Sequence, residues 1–280
     1  MNKRVIAGAI DIARRCGLIV DAAVPLRSTN NLVVWLSPAP VVAKIGIGRH
    51  AQLRIELEVA LELIARGGPV VAPAPAIPAI VHACEGFDVT FWQYHAQMDS
   101  PDDAPASVGV AMRRLHFALA QISPGLRARL PSYERELALA RVLLADSAGA
   151  PALRGSDRQL LSATFDRLFA ILQQRAPADS HIAIHGSPHS YNVLRVDGER
   201  RFIDFETACT GPAEWDAANL CDEAVESYAL ALDRQLLWAC RGMASVWTAA
   251  LCWQDVERGD MREHAEMHLK NVRENVAPHV

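Results

Sequence analysis

His185-Gly186-Ser187-Pro188-His189-Ser190-Tyr191-Asn192-Val193-Leu194, followed by Arg201-Phe202-Ile203-Asp204-Phe205-Glu206, is the stretch that decides how this chain folds. Val193 to Val196 and Arg201 to Ile203 are short apolar-rich runs on either side of Asp197-Gly198, a turn dipeptide, and read as two strands of a hairpin. Asn192 stands just before the first strand and Asp204 just after the second. If the strands pair, an amide oxygen and a carboxylate lie together at the open end. Taken singly, Asp204 would be a turn residue and Asn192 a cap. Taken together they are hard oxygen ligands of the kind magnesium prefers, and a strand-end carboxylate with a loop amide is the donor set that phosphoryl transfer needs. Asn192 and Asp204 are the candidate metal ligands.

Working outward, Gly211-Pro212-Ala213-Glu214-Trp215-Asp216 follows, and from about Trp215 the chain reads as helical to its end. Upstream, helical spacing runs over Ala106 to Ala120, Tyr133 to Ala145 and Asp157 to Arg175, and a short strand over His181 to Ile184. The N-terminal part is different. A helix is expected from about Arg4 to Leu18. Asn31 to Leu36 and Val41 to Ile45 form a hairpin across Ser37-Pro38-Ala39-Pro40, a helix follows from His50 to Arg66, and Phe87 to Tyr94 is a further strand. The polar, structure-breaking run Met98 to Asp103 marks a lobe boundary. The expected fold is therefore α+β and bilobal, with a small β-rich N-terminal lobe over residues 1–97 and a larger, mainly helical C-terminal lobe over residues 98–280.

The segment resembles the catalytic region of the aminoglycoside phosphotransferase family, relatives of the protein kinases. That family carries H-G-D-x-x-x-x-N, then a strand ending in D-F/W, then G-x-x-x-x-D with an aromatic before the last aspartate. This chain matches at His185, Gly186 and Asn192, at Asp204-Phe205, and at Gly211 with Trp215-Asp216. Val42-Ala43-Lys44-Ile45 is similar to the strand lysine motif, in which the ammonium reaches nucleotide phosphates. The resemblance implies that Lys44 is held by a helix glutamate, Glu56 with Glu58 as its rival. It implies that the backbone of Trp92, Gln93 and Tyr94 binds adenine, that Arg27 to Asn31 cover the phosphates, that His185 supports the loop and that Asp216 holds it. It further implies ATP (or GTP) and Mg2+ as cofactors, a protein-kinase-like fold, and transfer of phosphate to a hydroxyl of a small molecule. The acceptor would be an aminoglycoside-like antibiotic, which would connect the chain to antibiotic resistance, or a metabolite. Glu214, Asp216, Asp222, Glu223 and Glu226 fall where the family binds its acceptor and would suit a cationic one, although acidic residues at helix starts also favour the helix dipole. Trp238, Trp247 and Trp253 either line that pocket or belong to the core.

The chain departs from the family where the catalytic aspartate should be, because that position is Ser187. A neutral serine is no base near neutral pH without a partner, and general-base catalysis is worth roughly 10²–10⁴ in rate. Three readings follow: a specialised enzyme in which His189 or the substrate handles the proton, a pseudo-phosphotransferase that binds nucleotide or metabolite with little or no transfer, or an introduced substitution. The candidate catalytic residues are Ser187, His189, Asn192 and Asp204. Ser187 lacks the second glycine of a nucleophile elbow and is followed by Pro188, which argues against a hydrolase. His181, His185 and His189 are spaced by four, but Gly186 and Pro188 break the helix a zinc face would need.

The bulk properties set the frame. The chain has 280 residues, 51% hydrophobic and 21% charged, with a net charge of -4, enough for a large core and without the basic excess of a nucleic-acid binder. No apolar run reaches membrane-spanning length. The six cysteines (16, 84, 209, 221, 240 and 252) form no C-x-x-C pair and suit a reducing compartment. A cytoplasmic monomer or homodimer is expected, with neither membrane nor nucleic acid as partner.

Overall fold

The computed structural model describes residues 2–28, 31–84, 86–96, 105–257, 259 and 261–279. In chain order the elements are α1 (Asn2–Arg15), β1 (Val20–Ser28), β2 (Leu32–Pro38), β3 (Val41–Gly46), α2 (His50–Ala65), β4 (His82–Cys84), β5 (Phe87–Gln93), α3 (Pro105–Leu119), α4 (Pro124–Arg127), α5 (Glu134–Ala145) and α6 (Gly155–Arg175). There follow β6 (Ile182–Ile184), β7 (Val193–Val196), β8 (Glu199–Phe202), β9 (Cys209–Gly211), α7 (Ala213–Ala217), α8 (Asp222–Tyr228), α9 (Arg234–Gln254) and α10 (Met261–Asn271). They group into two compact units. The first holds Met1–Leu130, Ser187–Ala208 and Asp222–Ala229, and the second holds Pro131–Gly186, Cys209–Cys221 and Leu230–Val280. The boundary expected over Met98 to Asp103 lies outside the described residues.

The first unit is built on an antiparallel sheet of order β1-β2-β3-β5-β4. Alternation along the strands divides its two faces, as the pleat requires. Val41, Ala43 and Ile45 of β3 and Phe87, Val89 and Phe91 of β5 share a buried cluster with Val5, Ala9 and Ile12 of α1. The residues between them point the other way, so Lys44, paired in register with Thr90, lies on the opposite face. Lys44 and Thr90 are both buried. β1, β4, α4 and β9 are additions to the elements read from sequence, and β2 runs on through Ser37 to Pro38. Helix α2 stops where expected, at Arg66, with Gly67 following at a φ of +68°.

The β7–β8 hairpin forms as expected, with Val193 opposite Phe202 and Val196 opposite Glu199. The Ile203 amide donates to the Asn192 carbonyl at 3.0 Å and continues the ladder one step beyond the strands. In the same unit α3 packs on α8 at very short range. A Cβ on Gly109 would lie 1.9 Å from the Ala224 carbonyl oxygen and 2.8 Å from the Tyr228 amide nitrogen. Neither backbone atom can turn aside as a side chain would. His116 Nδ1 and the Tyr228 hydroxyl share a buried hydrogen bond of 2.6 Å across the same pair of helices, so His116 serves helix packing. Gly109→Ala should cost about 1–3 kcal/mol of stability, as overpacking does, measurable as a lower urea midpoint.

The second unit is helical, with β6 and β9 paired antiparallel at one place in it. Its core gathers Leu137, Phe165, Leu168, Met243, Val246, Ala250 and Val272 from α5, α6, α9 and the chain after α10. Trp253 is buried in this core, with Trp238 and Trp247 packed against it. Among the described residues no helix is long and apolar enough to cross a membrane.

Candidate active site

Lys44 is the centre of the site in the first unit. Its Nζ lies 2.7 Å from Glu56 Oε2, 2.6 Å from Asp204 Oδ1 and 3.5 Å from Glu206 Oε2. Each partner arrives by a different route. Glu56 is on the buried face of α2, whereas Glu58, two residues on, faces away and pairs with Arg129. Asp204 follows β8 with a φ of +70°, a left-handed conformation that aspartate tolerates better than most residues. The chain then turns through Phe205–Thr207, and Glu206 comes back to Lys44. Burial works against the Lys44 charge, but the carboxylates of Glu56, Asp204 and Glu206 outweigh it and hold the ammonium protonated well above its ordinary range. Burial pushes the Glu56 carboxyl upward while the Lys44 ammonium pulls it back.

Asn192 stands beside this cluster. Its Nδ2 donates to the Ser187 carbonyl at 3.0 Å and lies 3.3 Å from His189 Nε2, which leaves Oδ1 on the far side of the amide. That oxygen accepts from Arg27 Nη1 at 3.1 Å, and the same nitrogen is 3.7 Å from Asp204 Oδ2. One cationic nitrogen therefore sits within reach of both candidate metal ligands. The carboxylates of Glu56, Asp204 and Glu206 each offer an oxygen within 4.8 Å of the others. Such a set of carboxylate and amide oxygens suits a hard divalent cation, and the guanidinium nitrogen already stands in for a positive charge between two of them.

Of the expected site residues, Lys44, Glu56, Asp204, Asn192, Ser187 and His189 are brought together within this unit. Trp92 lies on the Lys44 face of the sheet and donates its indole N–H to Thr90 Oγ1 at 2.9 Å. The backbone of Gln93 and Tyr94 was expected to meet a base; of its groups, Gln93 N donates to the Ala72 carbonyl at 3.0 Å and Tyr94 N to the Pro40 carbonyl at 2.9 Å, so these two amides are already bonded. The Pro-rich segment after α2 runs alongside β5 and uses one donor, and the β2–β3 turn uses the other. The Tyr94 ring stacks on Trp35 with centroids 4.4 Å apart. Within the expected phosphate loop, Arg27 and Ser28 end β1, whereas Thr29 and Asn30 lie outside the described residues.

Glu206 and Arg49 were given no role from sequence, and Asn31 was read only as the end of the phosphate-covering segment. Glu206 accepts from Asn31 Nδ2 at 2.6 Å and pairs with Arg49 at 3.4 Å as well as with Lys44. A second carboxylate two residues after the strand-end aspartate was the only signal for Glu206. Nothing local marked Arg49 or the Asn31 side chain as Glu206 partners, because that role depends on where Glu206 returns.

The second unit contains the other half of the motif. Asp216 is fully buried, and its two oxygens accept from the amides of His185 and Gly186, each at 2.8 Å. Trp215 Nε1 donates to the Gly186 carbonyl at 3.0 Å. Asp216 thus anchors the two residues that precede Ser187 in the chain. Glu214 accepts from the Asp233 amide at 2.9 Å, ahead of α9, so both of these acids serve structure. Asp222, Glu223 and Glu226 of α8, in the first unit, are exposed.

A family model for the phosphotransferase enzyme family matches residues 23–246, across the lysine strand, the Asn192–Asp204 hairpin and the Asp216 anchor. The chain belongs to this family. Among solved structures, spectinomycin phosphotransferase APH(9)-Ia with ADP and spectinomycin aligns at a TM-score of 0.72 and 15% identity, covering 96% of this chain and 95% of its own. Amicoumacin kinase with AMP-PNP and Ca2+ aligns at 0.72 and 15%, covering 99% and 97%. A choline/ethanolamine kinase family protein from Mesorhizobium loti aligns at 0.67 and 15%, covering 95% and 93%. No functionally curated protein matches the sequence. These likenesses show that this phosphotransferase-family chain has the kinase-like fold, with a β-sheet N-terminal part and a helical C-terminal part.

Proposed function

We propose that the chain is an ATP- and magnesium-dependent phosphotransferase acting on a hydroxyl of a small molecule, an aminoglycoside-like antibiotic or a metabolite. The observation that carries this reading is the convergence of Glu56, Asp204 and Glu206 on Lys44, with Asn192 Oδ1 and Asp204 Oδ2 facing one cationic nitrogen. Related folds bound to ADP, GDP and AMP-PNP support a nucleotide, adenine or guanine, at this site. Relatives crystallised with spectinomycin and kanamycin support a polyhydroxylated acceptor.

In this reading Asn192 and Asp204 hold Mg2+, with Glu206 as a further carboxylate within reach. The metal, when bound, would neutralise phosphate charge as the phosphoryl group moves. Lys44, kept charged by its three carboxylates, reaches the phosphates, and Glu56 fixes its direction. The base lies along the Val42 and Trp92 face of the sheet. Its polar edge meets groups other than the Gln93 and Tyr94 amides, since these are already bonded. Positioning and charge neutralisation do most of the work of phosphoryl transfer, so Ser187 is compatible with turnover. His189, near Asn192 in the same loop, takes the acceptor proton, or the transferring phosphate does.

The test is nucleotide turnover with magnesium over a panel of aminoglycosides, related antibiotics and metabolite alcohols, on the natural chain beside Ser187→Asp and His189→Asn. The natural chain should transfer phosphate, and Ser187→Asp should raise kcat on the order of 10² by supplying a base. His189→Asn should lower it by a similar factor if the ring takes the proton, and should leave it unchanged if the phosphate does. Silence from both the natural chain and Ser187→Asp, with nucleotide binding intact, would replace this reading with that of a nucleotide-binding protein of the same fold.

A further inference from the structure

We infer that Arg27 makes metal uptake depend on nucleotide, by holding the metal-binding oxygens until phosphate draws it away. This rests on the phosphotransferase reading above. Arg27 Nη1 donates to Asn192 Oδ1 at 3.1 Å and lies 3.7 Å from Asp204 Oδ2. A magnesium ion held by Asn192 Oδ1 and Asp204 Oδ2 would need the same oxygens that this nitrogen now faces. Two positive groups cannot engage those oxygens at once without repulsion, so the guanidinium and the metal compete for one pair of ligands.

The charges around the site point the same way. Lys44, Arg27 and Arg49 face Glu56, Asp204 and Glu206, three cations against three carboxylates. The side chains alone thus balance, and little electrostatic attraction remains for a free divalent cation. Lys44 cannot yield its place, being 7% exposed and gripped by Glu56 at 2.7 Å. Arg27 can. Its side chain is 35% exposed and stands at the penultimate position of β1. Its contact with Asp204 is longer than a hydrogen bond. A guanidinium is well matched to phosphate oxygens, which it binds in a bidentate fork. A nucleotide's phosphates would therefore draw Arg27 off Asn192 and Asp204, free both ligands, and take over the guanidinium as a contact. Nucleotide and metal then favour one another's binding beyond their direct bonding, and the coupling is reciprocal.

The test is binding rather than turnover, on the full chain. Mn2+ replaces Mg2+ so that uptake can be followed by electron paramagnetic resonance of the free ion, and AMP-PNP serves as the nucleotide. Arg27→Gln should tighten nucleotide-free Mn2+ binding by about tenfold, the effect of removing one charge-assisted competitor. With EDTA present, it should weaken AMP-PNP binding by a similar factor. Arg27→Met, which keeps the apolar stem, should do the same and covers the case in which the glutamine variant folds poorly. Unchanged or weaker Mn2+ binding in both variants would overturn the inference, as would Mn2+ affinity in the natural chain that is already indifferent to AMP-PNP. Asp204→Asn should bind no Mn2+ in any combination. If the natural chain binds no AMP-PNP with or without metal, the phosphotransferase reading fails instead, while the Mn2+ comparison still decides whether Arg27 competes for the ligands.

Discussion

Asp204→Asn should lose Mn2+ binding and lower phosphoryl transfer on the order of 10²–10³, the scale seen when one preorganised charge-stabilising group is removed, while the protein stays folded. The asparagine is chosen for a structural reason. Position 204 has a φ of +70°, a conformation asparagine and aspartate adopt more readily than other side chains, so alanine would confound lost charge with backbone strain. Asparagine keeps one oxygen and the shape but removes the negative charge that Asp204 presents to Lys44 at 2.6 Å and to Arg27 at 3.7 Å. Lys44 retains Glu56 and Glu206 as partners, so it is not stranded as an unpaired buried charge. Mn2+ titration and circular dichroism on the same sample check both halves. Full metal binding in the variant would remove Asp204 from the ligand set.

Asp216→Ala should be the most destabilising single change in the second unit, by about 3–5 kcal/mol. The carboxylate is fully buried and accepts both the His185 and the Gly186 amides at 2.8 Å. Leaving a buried donor unsatisfied costs about 1–3 kcal/mol, and two lose their acceptor here. Asp216→Asn should be nearly as harmful. One side-chain oxygen can serve one amide, and the side-chain NH2 group would then point at the other, donor against donor. Urea unfolding of the three proteins measures this directly. A loss below about 1 kcal/mol for alanine would show that these amides find other partners and that Asp216 does not anchor the loop.

Much of the first unit could be read from local pattern. The β7–β8 hairpin follows from two apolar runs around Asp197-Gly198, and it delivers Asn192 and Asp204 to one end because strands pair in register. Lys44 on the inner face of β3 follows from alternation. Helix period puts Glu56 and Glu58 on different faces, but which of them meets Lys44 was left open by the sequence and is decided by how α2 packs. Other features resisted reading because they depend on distant chain. The three residues of β9 have meaning only beside β6, 25 positions earlier by the register of Ile184 with Cys209. The Gln93 and Tyr94 amides look available until Ala72 and Pro40 are brought to them. Glu206 meets Lys44 at 3.5 Å from the turn Phe205–Thr207 that follows the left-handed Asp204, a backbone course that no local pattern announced.

By itself, the sequence determined the order of the elements, the pairing that sets an amide oxygen beside a carboxylate, and the absence of an aspartate at position 187. These are legible because strand period, turn residues and motif spacing are properties of neighbouring positions. Only the tertiary structure decided that three cations balance three carboxylates around Lys44, that Arg27 lies on the candidate metal ligands, and that Asp216 is spent on two backbone amides. Charge balance and hydrogen-bond satisfaction are sums over everything that arrives at a point in space, and Arg27 and Asn192 meet across 165 residues of chain.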